Sequence, residues 1–301
     1  MALTKATGPV LGNYPTGTGN VALGDTALDS VESGGEFNVA IGNNAGTAIT
    51  TGDRNVVIGA SAGDAITTST KNVAIGTSSL TTNTTGNNNV AIGDQALSDN
   101  STASNNTAVG TSALQTNTTG TQNVAVGATS LDANTTGSYN NAIGKGTLGS
   151  NTTGDNNTGV GDGALNANTT ASNNTAVGYH ALVVNTTGSS CVSVGKDSLK
   201  ANTTGAYNVA VGEGTLVANT TADENTGLGR KALNANTTGS VNTAVGSNAL
   251  ADNTTGTSNV AVGREALHAN TTADNNVAVG KHALRANTTG ASNTGVGLNA
   301  L

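Results

Sequence analysis

Large aromatic side chains are nearly missing from this chain. Its 301 residues hold no Trp, one Phe and four Tyr, so aromatics make up 2% of the total. A globular domain of this length buries a thick core that such side chains fill, and an ordinary globule is therefore excluded. Charge is scarce as well, at 10% of residues, whereas disordered chains are usually charge-rich. The net charge of −7 argues against a nucleic-acid partner, which needs clustered Lys and Arg to neutralise phosphates. No apolar run approaches the ~20 residues that span a bilayer, so no membrane insertion is expected. Residues 1–20 lack the basic start and apolar stretch of a signal peptide. The single cysteine, Cys191, excludes an intrachain disulfide.

What is present is a repeat. The Gly that follows an aliphatic residue recurs at Gly42, Gly59, Gly76, Gly93, Gly110 and onward to Gly297, every 17 residues without an insertion. Gly24 adds a copy 18 residues upstream. Written from its opening Asn, the unit reads N-[VT]-A-[VI]-G-x-x-[AST]-L-x-x-N-T-T-[GA]-x-x, and residues 123–139 are a typical copy. Seventeen residues are too few for a helical-hairpin repeat. They suit one turn of a parallel β-solenoid, or β-roll, with two short strands of β-branched residues and two corners marked by Gly and Asn. The chain divides into an irregular or capping segment at 1–20 and a solenoid of about 17 repeats at 21–301.

Comparing the copies with one another assigns the columns. Position four is always aliphatic (Ile41, Val126, Leu228) and is expected to point into the coil, with position two, of the same parity, beside it. Position three is Ala, Gly or Ser except at Val57, which places it on the outer face, where another chain could approach. Position nine is Leu from Leu80 through Leu301, broken only at Gly46 and Gly63 in earlier copies, and forms a second core column. Position twelve is Val31, Ile49 and Ile66 in the first copies, and then Asn83, Asn100, Asn117, Asn134, Asn151, Asn168, Asn185, Asn202, Asn219, Asn236, Asn253, Asn270 and Asn287. A position that accepts Val, Ile or Asn faces inward, so these Asn residues read as a buried structural ladder of stacked amides. By this logic Ile or Val should replace Asn mildly. Thr at position thirteen should point outward, and Thr at fourteen should turn back in or sit on the corner. The ladder Asn also open thirteen tripeptides of the N-glycosylation pattern. Glycans on inward-facing residues ~4.8 Å apart cannot be accommodated, so the structural role outweighs the modification.

No catalytic constellation survives this register. His180 and His282 share position seven but lie six coils apart, and His268 stands in a different column, so no metal site is expected. Turns such as Gly159-Val160-Gly161 lack the Lys of a P-loop. No cofactor is expected, and the chain is not expected to be an enzyme. Charges sit at the variable positions six and ten, with Lys145, Lys196, Arg230, Arg264 and Lys281 sharing position six with Asp162 and Glu213. They read as solvated corners.

The motif Asn38-Val39-Ala40-Ile41-Gly42, repeated as Asn89-Val90-Ala91-Ile92-Gly93, resembles the N-S-V-A-I-G head repeat of trimeric autotransporter adhesins. The run from Asn242-Thr243-Ala244-Val245-Gly246 through Asn253-Thr254-Thr255-Gly256 is similar to repeats of phage and bacterial tail-fibre-like proteins. The resemblance covers about residues 20–301, although the unit is longer than that of the adhesin heads. It implies a left-handed coil, a homotrimer, and an extracellular fibre on a cell surface or virion that serves attachment or forms a shaft. Side-by-side trimerisation is expected through the small residues of position three. The rival expectation is an ice-binding solenoid that presents an outward Thr ladder. Pro9 and Pro15 suit an N-terminal cap. Leu301 stands at position nine of a coil, so the chain is expected either to continue or to stack end to end into filaments.

Overall fold

The computed structural model describes residues 17–301. The expected cap, with Pro9 and Pro15, lies outside the described residues except for its last four positions. Of these, Thr18 and Asn20 already pair with the following coil: the Thr18 carbonyl accepts from the Phe37 N–H at 3.0 Å, and Asn20 Oδ1 accepts from the Asn38 N–H at 2.8 Å.

The described residues form parallel β-solenoid coils and contain no helix. Each coil contributes one three-residue strand, formed by positions two to four, and not the two expected, because the rest of the coil runs in turns with left-handed residues. The strands run from β1 (Val21–Leu23) to β8 (Asn141–Ile143) in a first unit, residues 1–145, and from β9 (Thr158–Val160) to β17 (Thr294–Val296) in a second, residues 146–301. Within each unit consecutive strands pair in parallel without a register shift, so Val124 stands opposite Asn141 and Val209 opposite Thr226. A 17-residue repeat returns each position to the same place in the next coil, so a column in the sequence becomes a ladder in space.

The corners explain how so short a turn closes. Positions seven, nine and seventeen adopt left-handed backbone whatever the residue; in one stretch these are Ser112 (φ 52°), Leu114 (φ 53°) and Gln122 (φ 59°). A left-handed Leu costs about 1 kcal/mol, but it lets corner N–H groups point along the stack. The Leu114 N–H donates to the Ser130 carbonyl at 2.9 Å in the next coil, and the Ser112 N–H donates to the Asp94 carbonyl at 2.9 Å in the previous one. The corner backbone is thus satisfied by neighbouring coils rather than by water. Position five admits only Gly. At Gly93, φ is 138°, and an added Cβ would lie 2.5 Å from the Gly110 carbonyl oxygen.

The inside–outside assignment of the strand is the reverse of the sequence expectation. Ala40, Ala125, Ala176 and Ala261 of position three are fully buried, whereas positions two and four are half-buried or exposed. The reason is volume. Leu of position nine, Ala of position eight and two Asn columns already fill the coil, which leaves room for one small side chain on the strand. A Cβ added to Gly295 at position three would lie 2.7 Å from Leu284 Cγ, and one added to Gly227 would lie 2.5 Å from Thr215 Cγ2. Bulky β-branched residues therefore face outward. Position three cannot be the surface through which copies approach one another.

Candidate functional site: amides inside, an apolar face outside

From the coil that holds Asn83 onward, two amide columns hold each coil together. In the column at position twelve, every Asn from Asn83 to Asn270 is fully buried, and Asn287 is partly so. In the first unit, Asn100 Nδ2 donates to Asn83 Oδ1 at 2.9 Å, Asn117 to Asn100 at 3.0 Å and Asn134 to Asn117 at 2.8 Å. In the second unit, the same bond links Asn168 to Asn151 and continues coil by coil through Asn185, Asn202, Asn219, Asn236, Asn253 and Asn270 to Asn287.

The second column is the opening Asn, which the sequence analysis did not single out. Asn106 Oδ1 accepts the backbone N–H of Asn123 in the next coil at 2.9 Å. Asn106 Nδ2 donates to the Gly120 carbonyl of its own coil at 2.9 Å, and the same carbonyl accepts Asn117 Nδ2 at 2.9 Å. Position fifteen thus receives one amide from each column. The two Asn residues pin the strand to the opposite corner across the coil, with their polar groups satisfied. The signal was visible, since position one is Asn in every copy from Asn38 to Asn293 except Cys191.

Cys191 fits this column as a small buried residue. Its N–H donates to Asn174 Oδ1 at 2.9 Å, and its Sγ lies 3.4 Å from the Gly205 carbonyl oxygen. Burial pushes its thiol up from the usual cysteine value, the reverse of what an activated nucleophile requires. Where Asn83 and its successors through Asn270 open glycosylation tripeptides, the acceptor nitrogen is buried and already bonded. The sequence expectation for the Thr pair also changes. Thr118 of position thirteen is partly buried and its hydroxyl donates to the Thr135 carbonyl at 3.0 Å, while Thr119 of position fourteen is the exposed member.

The outside of the strands presents two columns in each unit. Position two is Val or Thr, apart from Asn141, and position four is Val, Ile or Leu. Val126, Val177 and Val262 are each 36% exposed and Leu228 is 47% exposed. Single exposed aliphatics are ordinary, but a contiguous apolar stripe on one face is not. The three histidines remain apart. His268 Nδ1 lies 3.3 Å from Asp252 and His282 Nε2 lies 3.5 Å from Glu265, and no group of three potential metal ligands occurs among the described residues.

No protein-family model matches the chain, and no curated protein matches it either.

Proposed function

We propose that the chain is a structural and adhesive fibre segment whose copies associate side by side through the outward strand face. Copies assemble as a homotrimer of left-handed coils, end-to-end stacking extends the assembly into filaments, and the fibre stands outside the cell, on a cell surface or a virion. The repeats carry no reaction and need no cofactor.

The observation that supports this reading most is the stripe formed by positions two and four. Each coil leaves on the order of 100 Å² of largely apolar accessible surface there, so eight coils offer about 800 Å², the share each partner contributes to a standard interface. The interior supports the same reading, because amide ladders hold the coil without needing these aliphatics, which are left free for a neighbour. Replacing Val177 and Val262 by Lys tests it. Both residues point outward, so the coil should still form, while static light scattering should show the assembly falling apart and surface attachment should be lost with it. Variants that assemble and attach like the parent chain would refute the reading.

A second reading, an ice-binding surface, is favoured by the exposed Thr of position fourteen, which forms a regular column with Thr119 as one member. Thermal hysteresis in the purified protein would select it, and its absence would reject it.

A further inference from the structure

The charged corners of the two units are complementary. The corner formed by positions six to eleven carries six carboxylates in the first unit: Asp25, Asp29, Asp64, Asp94, Asp99 and Asp132. Its one cation is Lys145, at the unit's last residue. None of these six carboxylates forms an ion pair among the described residues. They fall on alternate coils, those of Gly24, Gly59, Gly93 and Gly127, and the coils between carry no charge at these positions.

In the second unit the same corner holds every Lys and Arg the unit has: Lys196, Lys200, Arg230, Lys231, Arg264, Lys281 and Arg285. All seven are exposed. They fall on the coils of Gly195, Gly229, Gly263 and Gly280, and Glu265 offsets Arg264 within the coil of Gly263. Of the carboxylates at this corner, Asp197 pairs with Lys200 at 3.1 Å, Glu213 with Arg230 at 3.7 Å, Asp252 with His268 at 3.3 Å, and Glu265 with Arg264 and Arg285 at 2.8 Å each, while Asp162 lies cation-free at the unit's start. Lys196, Lys231 and Lys281 have no carboxylate partner among the described residues. The first ridge therefore carries its charge with a spacing of two coils, about 10 Å, and the second repeats that spacing between the coils of Gly195 and Gly229.

We propose that the acidic corner of the first unit binds the cationic corner of the second unit in another copy of this chain. The shared spacing lets the carboxylate-bearing coils of Gly93 and Gly127 stand opposite the cation-bearing coils of Gly195 and Gly229, with the uncharged coil of Gly110 opposite Glu213. A ridge of unpaired carboxylates repels itself over about a Debye length, ~10 Å at 0.1 M salt. A partner ridge of opposite sign relieves that repulsion and fixes which coils meet. The contact uses a different face from the strand stripe and does not rest on that reading. The two are separable by salt, since apolar association persists in high salt and charge pairing does not.

The test is sedimentation of the full chain at about 20 mM and about 500 mM salt. The low-salt association should be at least about tenfold tighter for the parent chain. The triple variant Asp94→Lys, Asp99→Lys, Asp132→Lys should lose the salt-dependent increment. So should the triple variant Lys196→Glu, Lys231→Glu, Lys281→Glu. An equimolar mixture of the two variants should regain it, because each then offers the ridge the other needs. A parent chain whose mass is the same in both salts overturns the proposal without any variant, and so does a mixture that fails to associate.

Discussion

A methyl group on Gly46 would stand 2.8 Å from Cδ1 of Ile49 and 3.0 Å from Cγ2 of Val57, and one on Gly63 would stand 2.8 Å from Cδ1 of Ile66. Coils with Ile at position twelve therefore have Gly at position nine, and the Ile branch fills the volume that Leu fills elsewhere. The first coil, which keeps Leu28, carries the shorter Val31.

This pairing revises the expectation that Ile is a mild replacement for a ladder Asn. Asn185→Ile sets an Ile against Leu182 and deprives Asn168 Oδ1 of its donor. A loss of about 2–4 kcal/mol is expected, read from denaturant midpoints. Adding Leu182→Gly should recover part of it, so that the double variant is more stable than the sum of the singles predicts. Strict additivity would show that the two positions do not share space.

Asn185→Asp probes the ladder's polarity. Asn185 Nδ2 donates to the Gly188 carbonyl at 2.9 Å and to Asn168 Oδ1 at 3.1 Å. A carboxylate there would face two acceptors without a proton to give, at a cost of roughly several kcal/mol. Folding would raise the pKa of this Asp above its unfolded value. The defect should therefore be full above the folded pKa and shrink as pH falls through it, when the protonated acid can donate. Melts at about pH 7 and about pH 4 check this, and a defect of the same size at both would contradict it.

Cys191→Asn should stabilise the second unit by about 1 kcal/mol, because an amide at that site can donate to the Gly205 carbonyl and offer its oxygen to the following Asn208 N–H. Thermal melting of the variant reads the gain. A lower melting temperature would mean that the local coil has adapted to the thiol.

Gly159 and Thr147 make a second matched pair, since a Cβ on Gly159 would lie 2.5 Å from Thr147 Cγ2. Gly159→Ala should destabilise by about 1–3 kcal/mol, and Thr147→Ala in the same chain should remove most of that penalty. Gly227 repeats the relation with Thr215 at 2.5 Å, so the same rescue should work four coils away. A Gly159→Ala variant as stable as its parent would show that the corner yields.

The period, the strand position and the inward placement of Leu114 and Asn117 were legible because a column read down the repeats shows what a site tolerates. The parity of Val124-Ala125-Val126 was not. Aliphatic β-branched residues ordinarily mark a core, and nothing local says that Leu and two amides have already filled it. The information lay in coupled columns: Gly at position three follows Thr at position eight at Thr147 and Gly159, and again at Thr215 and Gly227. Those couplings identify position three as the crowded interior site. The left-handed leucines leave no trace in the sequence, because burial of the side chain overrides the backbone preference that would otherwise call for Gly or Asn.

The central claim is that the outward stripe of positions two and four binds further copies of the chain, and sedimentation equilibrium in about 500 mM salt tests it with the corner charges screened. The account predicts that no species lighter than three times the single-chain mass is present across the micromolar range, with heavier multiples where trimers stack end to end. A species of single-chain mass under those conditions would contradict it.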